Sequence, residues 1–313
     1  MYTKVRVFSG RSNPELGTEI NEILGYRHAG ITIKNFSDGE IWMKYEENIR
    51  GADVFLVQPT NPPADNLLEL LMMIDAAKRA SAKRITAVIP YYGYARQDRK
   101  DQPRVPLSSR LFMDTIVTAG ADRIVCMDLH STQIQGFVNI PFDHLYAKPI
   151  FIDRLKELVE GREYGIVVPD IGGIKFARSY AKLLELPLTI IDKRRPAPNL
   201  AEVMNVIGNE NVKNALIIDD MIDTGGTVVQ TAELIKSKGC ETITVVATHG
   251  LFSGPCIERF QNAPIDKIIV TNSVRVPEEK RIDKMEIISA APLLAQAINR
   301  IHNEESLSKL FDI

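Results

Sequence analysis

The sequence is poor in cysteine, has one tryptophan, and carries almost no net charge. Its three cysteines, Cys126, Cys240 and Cys256, are odd in number and lack any Cys-x-x-Cys spacing, which argues against a disulfide framework or a zinc cage and for buried thiols. No segment offers ~18 consecutive apolar residues, so no membrane span is expected. The stretch from Met1 to Gly10 alternates like a strand and lacks the apolar run of a signal peptide, so a soluble, cytoplasmic protein is expected. Lys and Arg total 38 against 40 Asp and Glu, a net charge of -2, which gives no general attraction to nucleic acid or to an anionic membrane. Any site for a polyanion must be local.

What the chain does contain is alternation. Short apolar runs at Val54–Val57, Ile85–Ile89, Arg123–Met127, Gly165–Val168, Ala215–Ile218 and Thr242–Ala247 read as strands buried on both faces. Between them, Leu67, Leu70, Leu71, Ile74 and Ala77 recur on one face and predict a helix over about Asn66–Ala80, with Asn66 and Glu69 as a capping box. Pro106 suits the first turn of a helix that runs to Ala119 and stops at Gly120. Near Tyr146–Pro149 the pattern restarts, with a helix over Ile150–Val159. Strands separated by helices favour parallel sheets with right-handed crossovers. The expected fold is therefore α/β, two doubly wound, mostly parallel-sheet domains. Residues 1–146 form the first and 147–313 the second, with the last helix packing back on the first.

The segment from Ala215 to Thr227 carries the clearest chemistry. An apolar strand ends in Asp219 and Asp220, and Asp223-Thr224-Gly225-Gly226-Thr227 leads into a helix whose buried face is Val228, Ala232 and Ile235. The unpaired N–H groups of such a helix start attract a phosphate, and two glycines let the backbone approach it closely. The threonine hydroxyls add donors, and the carboxylates can accept from sugar hydroxyls. The expected ligand is a phosphorylated ribose.

This segment resembles the phosphoribosyl diphosphate-binding signature shared by type I phosphoribosyltransferases and ribose-phosphate pyrophosphokinases. Other segments resemble the pyrophosphokinase family, class I, over nearly the whole chain, which implies the type I phosphoribosyltransferase-like fold for both domains. Phe36-Ser-Asp-Gly-Glu40 is similar to the family's adenine-side segment and implies ATP contacts at Asp38, Gly39 and Glu40. Val88 to Arg99, Val-Ile-Pro-Tyr-Tyr-Gly-Tyr-Ala-Arg-Gln-Asp-Arg, matches its ATP loop and implies contacts at Arg96 and Gln97. Met127 to Gly136 and Val168 to Gly173 resemble its nucleotide–magnesium segments, with His130 and Asp170 as the implied metal ligands. Magnesium prefers oxygen ligands, so a direct histidine ligand is unusual. The family has serine where this chain has Val168, and the basic position near the following Arg-x-Arg is altered to Lys175-Phe-Ala-Arg178. Ile191 to Pro198 looks like the catalytic loop, with Lys193 and Arg195 over the transferring group.

The resemblance implies Mg²⁺-dependent transfer of the diphosphoryl group of ATP to ribose 5-phosphate. The sugar is implied to lie on Asp219, Asp220, Asp223, Thr224, Gly225, Gly226 and Thr227, with Arg195 also touching it. It further implies a homo-oligomer, a hexamer of dimers, with phosphate and ADP as regulators near Asn48, Arg50, Gln135 and Ser306–Ser308. A phosphoribosyltransferase would share only the Asp219–Thr227 segment. A catalytically silent regulatory subunit would not need the intact Lys193 loop.

Overall fold

A computed structural model describes residues 4–27, 29–194, 203–209 and 211–311. The chain divides into two compact units. The first takes the residues up to Pro149 with Ser273–Arg275 and those from Ser289 on, and the second takes Ile150–Asn272 and Val276–Ile288.

In the first unit, β1 (Val5–Ser9) and α1 (Pro14–Leu24) precede a hairpin of β2 (Ile31–Asn35) and β3 (Ile41–Tyr45). Then come β4 (Asp53–Val57), α2 (Asp65–Arg79), β5 (Arg84–Ile89), α3 (Ser108–Ala119), β6 (Arg123–Met127) and β7 (Phe142–Leu145). The sheet has the order β1-β4-β5-β6-β7, every pair parallel. Strand β4 is buried throughout and β5 from Ile85 on, which is why they read as unbroken apolar runs. Leu70, Met73 and Ile74 of α2 join them in the core.

The second unit holds α4 (Lys148–Val159), β8 (Tyr164–Val168), α5 (Ile174–Leu184), β9 (Leu188–Arg194), β10 (Val203–Ile207), β11 (Asn214–Ile222) and α6 (Gly226–Ser237). It continues with β12 (Thr242–Gly250), α7 (Cys256–Asn262), β13 (Lys267–Thr271) and β14 (Met285–Ile288). The strand order is β10-β9-β8-β11-β12-β13-β14, parallel except for the antiparallel edge strand β10. The final helix, α8 (Ala291–His302), belongs to the first unit and packs on α1. No helix among the described residues is long and apolar enough to cross a membrane.

The α/β expectation of mostly parallel sheets holds, with three local corrections. The predicted capping box on α2 does not form, because Glu69 is buried and accepts from the Arg11 backbone N–H and Nε and from Gln58 Nε2. Asn66 instead donates from Nδ2 to the Asn61 carbonyl. Strand β11 continues past Ile218 to Ile222, because its backbone ladder with β12 runs on to Met221 opposite His249 and Ile222 opposite Gly250. Lys193, expected in a loop, lies in β9 opposite Met204, because a return strand, β10, pairs with it.

Candidate active site

In the second sheet, β8 pairs with β9 on one side and β11 on the other, so successive connections leave β8 in opposite directions. Open α/β sheets bind ligands in the crevice that forms at the carboxyl ends of such strands. Strand β8 stops at Val168, while β11 keeps its β12 partner for several more residues. Asp219 and Asp220 occupy this extra length, both half-buried. Asp170 follows β8, and its Oδ1 accepts the Gly173 N–H at 3.1 Å, capping a short 3-10 turn over Ile171–Gly173.

The neighbouring carboxylates act on the charge of Asp219. Burial raises the Asp219 pKa well above the ordinary carboxylate range, reinforced by the negative charge of Asp220, a hydrogen bond between the two side chains, and the charge of Asp170. The Asp220 N–H donates to Asp219 Oδ1 at 2.9 Å and opposes the shift. An arrangement that suppresses ionisation of a carboxylate is one that a cation, or hydroxyl donors, would relieve.

Beyond Ile222, the loop turns through Gly225 at φ +73° into α6, and the Val229 N–H closes the first helical turn on the Gly225 carbonyl at 2.9 Å. A Cβ at Gly225 would lie 2.9 Å from Cys256 Sγ and 3.1 Å from the Phe260 ring, so both its backbone angle and its surroundings call for glycine. Burial first, then the charge of Asp223, pushes the Cys256 thiol up to about 12, leaving a neutral packing group. Thr224 and Thr227 are exposed, beside N–H groups that have no acceptor within the helix. Arg259, from α7, donates from Nη1 to the Thr224 carbonyl at 2.9 Å. It carried no sequence signal, since its partner lies 35 residues away.

Lys193 is the next-to-last residue of the β9 ladder, and Arg195 lies outside the described residues. In the first unit, Asp38, Gly39 and Glu40 form the exposed turn of the β2–β3 hairpin. There the Phe36 N–H bonds the Glu40 carbonyl at 2.8 Å and the Glu40 N–H bonds Asp38 Oδ1 at 3.0 Å. Arg96 and Gln97 are exposed in the loop after β5, where Gln97 Oε1 accepts from the Ser108 hydroxyl at the start of α3. Gly93 holds this loop against β4's continuation, its N–H on Thr60 Oγ1 at 2.8 Å, and a Cβ there would meet the Thr60 carbonyl. His130 is exposed just past β6. Asn48 Oδ1 accepts the Arg50 N–H, Gln135 approaches the His144 ring, and the Ser306 and Ser308 hydroxyls bond each other. Among the described residues, no three His, Cys, Asp or Glu side chains form a metal cage.

Residues 5–120 match the N-terminal domain of ribose phosphate pyrophosphokinase, and residues 178–312 match the phosphoribosyl synthetase-associated domain. The chain is 52% identical over 312 residues to the ribose-phosphate pyrophosphokinase of Chlorobaculum tepidum, covering 100% of this chain and 96% of that one. The chain belongs to the ribose-phosphate pyrophosphokinase family. A second pyrophosphokinase, from Bacillus subtilis, is 48% identical over 311 residues, 98% of this chain and 97% of the relative. The crystal structure of phosphoribosylpyrophosphate synthetase from Mycobacterium smegmatis aligns with a TM-score of 0.92 at 38% identity, covering 96% of this chain and 100% of that one. The match to this pyrophosphokinase structure extends the resemblance from motifs to the fold.

Proposed function

We propose that this enzyme transfers the β,γ-diphosphoryl group of ATP intact to the anomeric hydroxyl of ribose 5-phosphate, giving 5-phosphoribosyl 1-diphosphate and AMP. The observation that carries the reading is the carboxylate pair at the end of β11 followed by the glycine-bearing helix start, in a chain of this family. In it, the N–H groups and hydroxyls of residues 223–227 bind the 5-phosphate, and Asp219 and Asp220 accept from the ribose hydroxyls. Lys193 and Arg195 supply positive charge where negative charge grows on the transferring group. Asp38, Gly39, Glu40, Arg96 and Gln97 bind ATP.

The acidic oxygens of Asp170, and of the Asp219–Asp220 pair, fit a hard divalent cation, which takes a few carboxylates and completes its shell with waters and substrate phosphates. His130 is a less suitable donor for Mg²⁺ and, like Asp170, is a candidate ligand by the family resemblance. A bound Mg²⁺ would neutralise charge on the β- and γ-phosphates. Exclusion of water then falls to the protein, since hydrolysis of ATP competes with transfer. From family membership we also propose a cytoplasmic homo-oligomer, a hexamer of dimers, that responds to phosphate and ADP.

Phosphorus NMR of a mixture of ATP, ribose 5-phosphate and Mg²⁺ tests the reaction. AMP and a sugar 1-diphosphate are expected in equal amounts, and release of ADP, or no sugar diphosphate, would overturn it.

A further inference from the structure

The carbonyls of the phosphosugar loop are fastened in succession by the segment that follows β12. The Leu251 and Phe252 N–H groups donate to the Ile222 carbonyl at 2.9 and 3.2 Å, and the Ser253 N–H donates to that of Asp223 at 2.9 Å. Arg259 Nη1 completes the series at the Thr224 carbonyl. Across a planar trans peptide the N–H points away from the C=O. Each fastened carbonyl therefore turns the following N–H, at Asp223, Thr224 and Gly225, in the opposite direction. Successive N–H groups presented on one side make an anion-binding concavity.

The fastenings differ in kind. Those on Ile222 and Asp223 are backbone bonds, which persist whatever side chains stand at 251–253, whereas the one on Thr224 comes from a single exposed side chain. Helix α7 puts that side chain in place, because its buried Cys256 and Phe260 lie against Gly225. The guanidinium also passes close to Gly226, where a Cβ would be 3.3 Å from Nη1.

We infer that Arg259 is a positioning residue for ribose 5-phosphate, holding the Thr224–Gly225 peptide so that the Gly225 N–H faces the 5-phosphate. The inference rests on reading residues 223–227 as the phosphate loop. An exposed side chain contributes little to folding, so loss of Arg259 affects the loop and leaves global stability nearly unchanged.

The test compares wild type with Arg259→Ala and Arg259→Lys in two assays: steady-state kinetics with each substrate varied, and thermal unfolding with ribose 5-phosphate alone. In Arg259→Ala the KM for ribose 5-phosphate should rise roughly 10-fold or more, since a slightly displaced binding group is costly, while the KM for ATP stays within about 2-fold. The thermal shift produced by ribose 5-phosphate should shrink in parallel, and Arg259→Lys, which keeps a cationic donor, should recover part of both. An unchanged KM for the sugar, an equal rise for both substrates, or an undiminished thermal shift would overturn the inference. Should Arg259→Ala fail to fold, Arg259→Gln gives the same readings. A wild type that ribose 5-phosphate stabilises but that forms no AMP refutes the proposed reaction and leaves this inference to be decided by the thermal shift. A wild type that shows no shift overturns this inference, while formation of AMP and the sugar diphosphate alone decides the proposed reaction.

Discussion

The guanidinium of Arg84 on β5 forks over both carboxylate oxygens of Asp53 on β4, Nε to Oδ1 at 2.8 Å and Nη2 to Oδ2 at 2.5 Å. Asp53 is 3% exposed, and its Oδ2 also meets His302 Nδ1 at 2.8 Å, while Arg84 Nη2 reaches the Ile301 carbonyl at 3.1 Å. One buried carboxylate thus joins two central strands to the end of α8. Its bidentate geometry and its burial both set this ion pair apart from the solvated pairs on the surface.

Removing the carboxylate should therefore be costly. Asp53→Ala leaves a partly buried cation without its counter-charge, a situation that costs about 3–5 kcal/mol. Asp53→Asn keeps the shape and one acceptor and should lose less. Denaturant unfolding of the two variants separates charge from packing: the loss that Asp53→Asn avoids belongs to packing and the retained acceptor, and equal losses would assign the whole cost to the charge.

Asp219 should show the reverse, a residue kept at the expense of stability. Its pKa is raised in the folded protein, chiefly by burial and then by Asp220. The native state therefore holds a proton that the unfolded chain releases near pH ~3.9. The penalty is absent below that pH, grows as pH rises through it, and levels off above the raised native value. Asp219→Asn removes the penalty and can donate to Asp220, so at pH 7 to 8 it should unfold at a higher temperature than wild type, with the advantage fading toward acid. Its KM for ribose 5-phosphate should rise. A melting temperature no higher than wild type at pH 8 would contradict the account.

Much of this was legible because burial on both faces writes itself as an apolar run, as at Val54–Val57 and Ile85–Ile89. The phosphosugar loop was legible because its carboxylates, glycines and helix start are contiguous. Features set by distant partners were not. Glu69 had the spacing of a helix cap, but Arg11, 58 residues earlier, takes it as a buried ion-pair partner. The Asp219–Asp220 pair looked like the end of a strand, yet backbone pairing with β12 ignores side-chain polarity and carries β11 to Ile222. Nothing near Arg259 in sequence marks it as a neighbour of Thr224.

Gly225 offers a steric test of the same loop. Alanine there must hold φ near +73°, which costs an L-residue about 1–2 kcal/mol, and its methyl would press on Cys256 Sγ and Phe260. Gly225→Ala should lower stability and raise the KM for ribose 5-phosphate. Adding Cys256→Gly removes the sulfur and should restore part of the stability lost to the clash, leaving the backbone cost. A double variant no better than the sum of its single changes would show that crowding is not the cause.

The last prediction separates holding the sugar from moving the diphosphate. Lys193 lies at the end of β9, in the sheet whose β8–β11 crevice carries Asp170 and Asp219. In the proposed transfer its charge acts on a group that becomes more negative only as the bond to AMP breaks, so its contribution belongs to the transition state. Lys193→Ala should therefore lower kcat by about 10²–10³ with the KM for ribose 5-phosphate changed less than about 3-fold. Asp220→Asn, acting on bound sugar, should chiefly raise that KM. If Lys193→Ala raises the sugar KM and leaves kcat intact, the lysine binds substrate in the ground state and the stabilising charge must come from another residue.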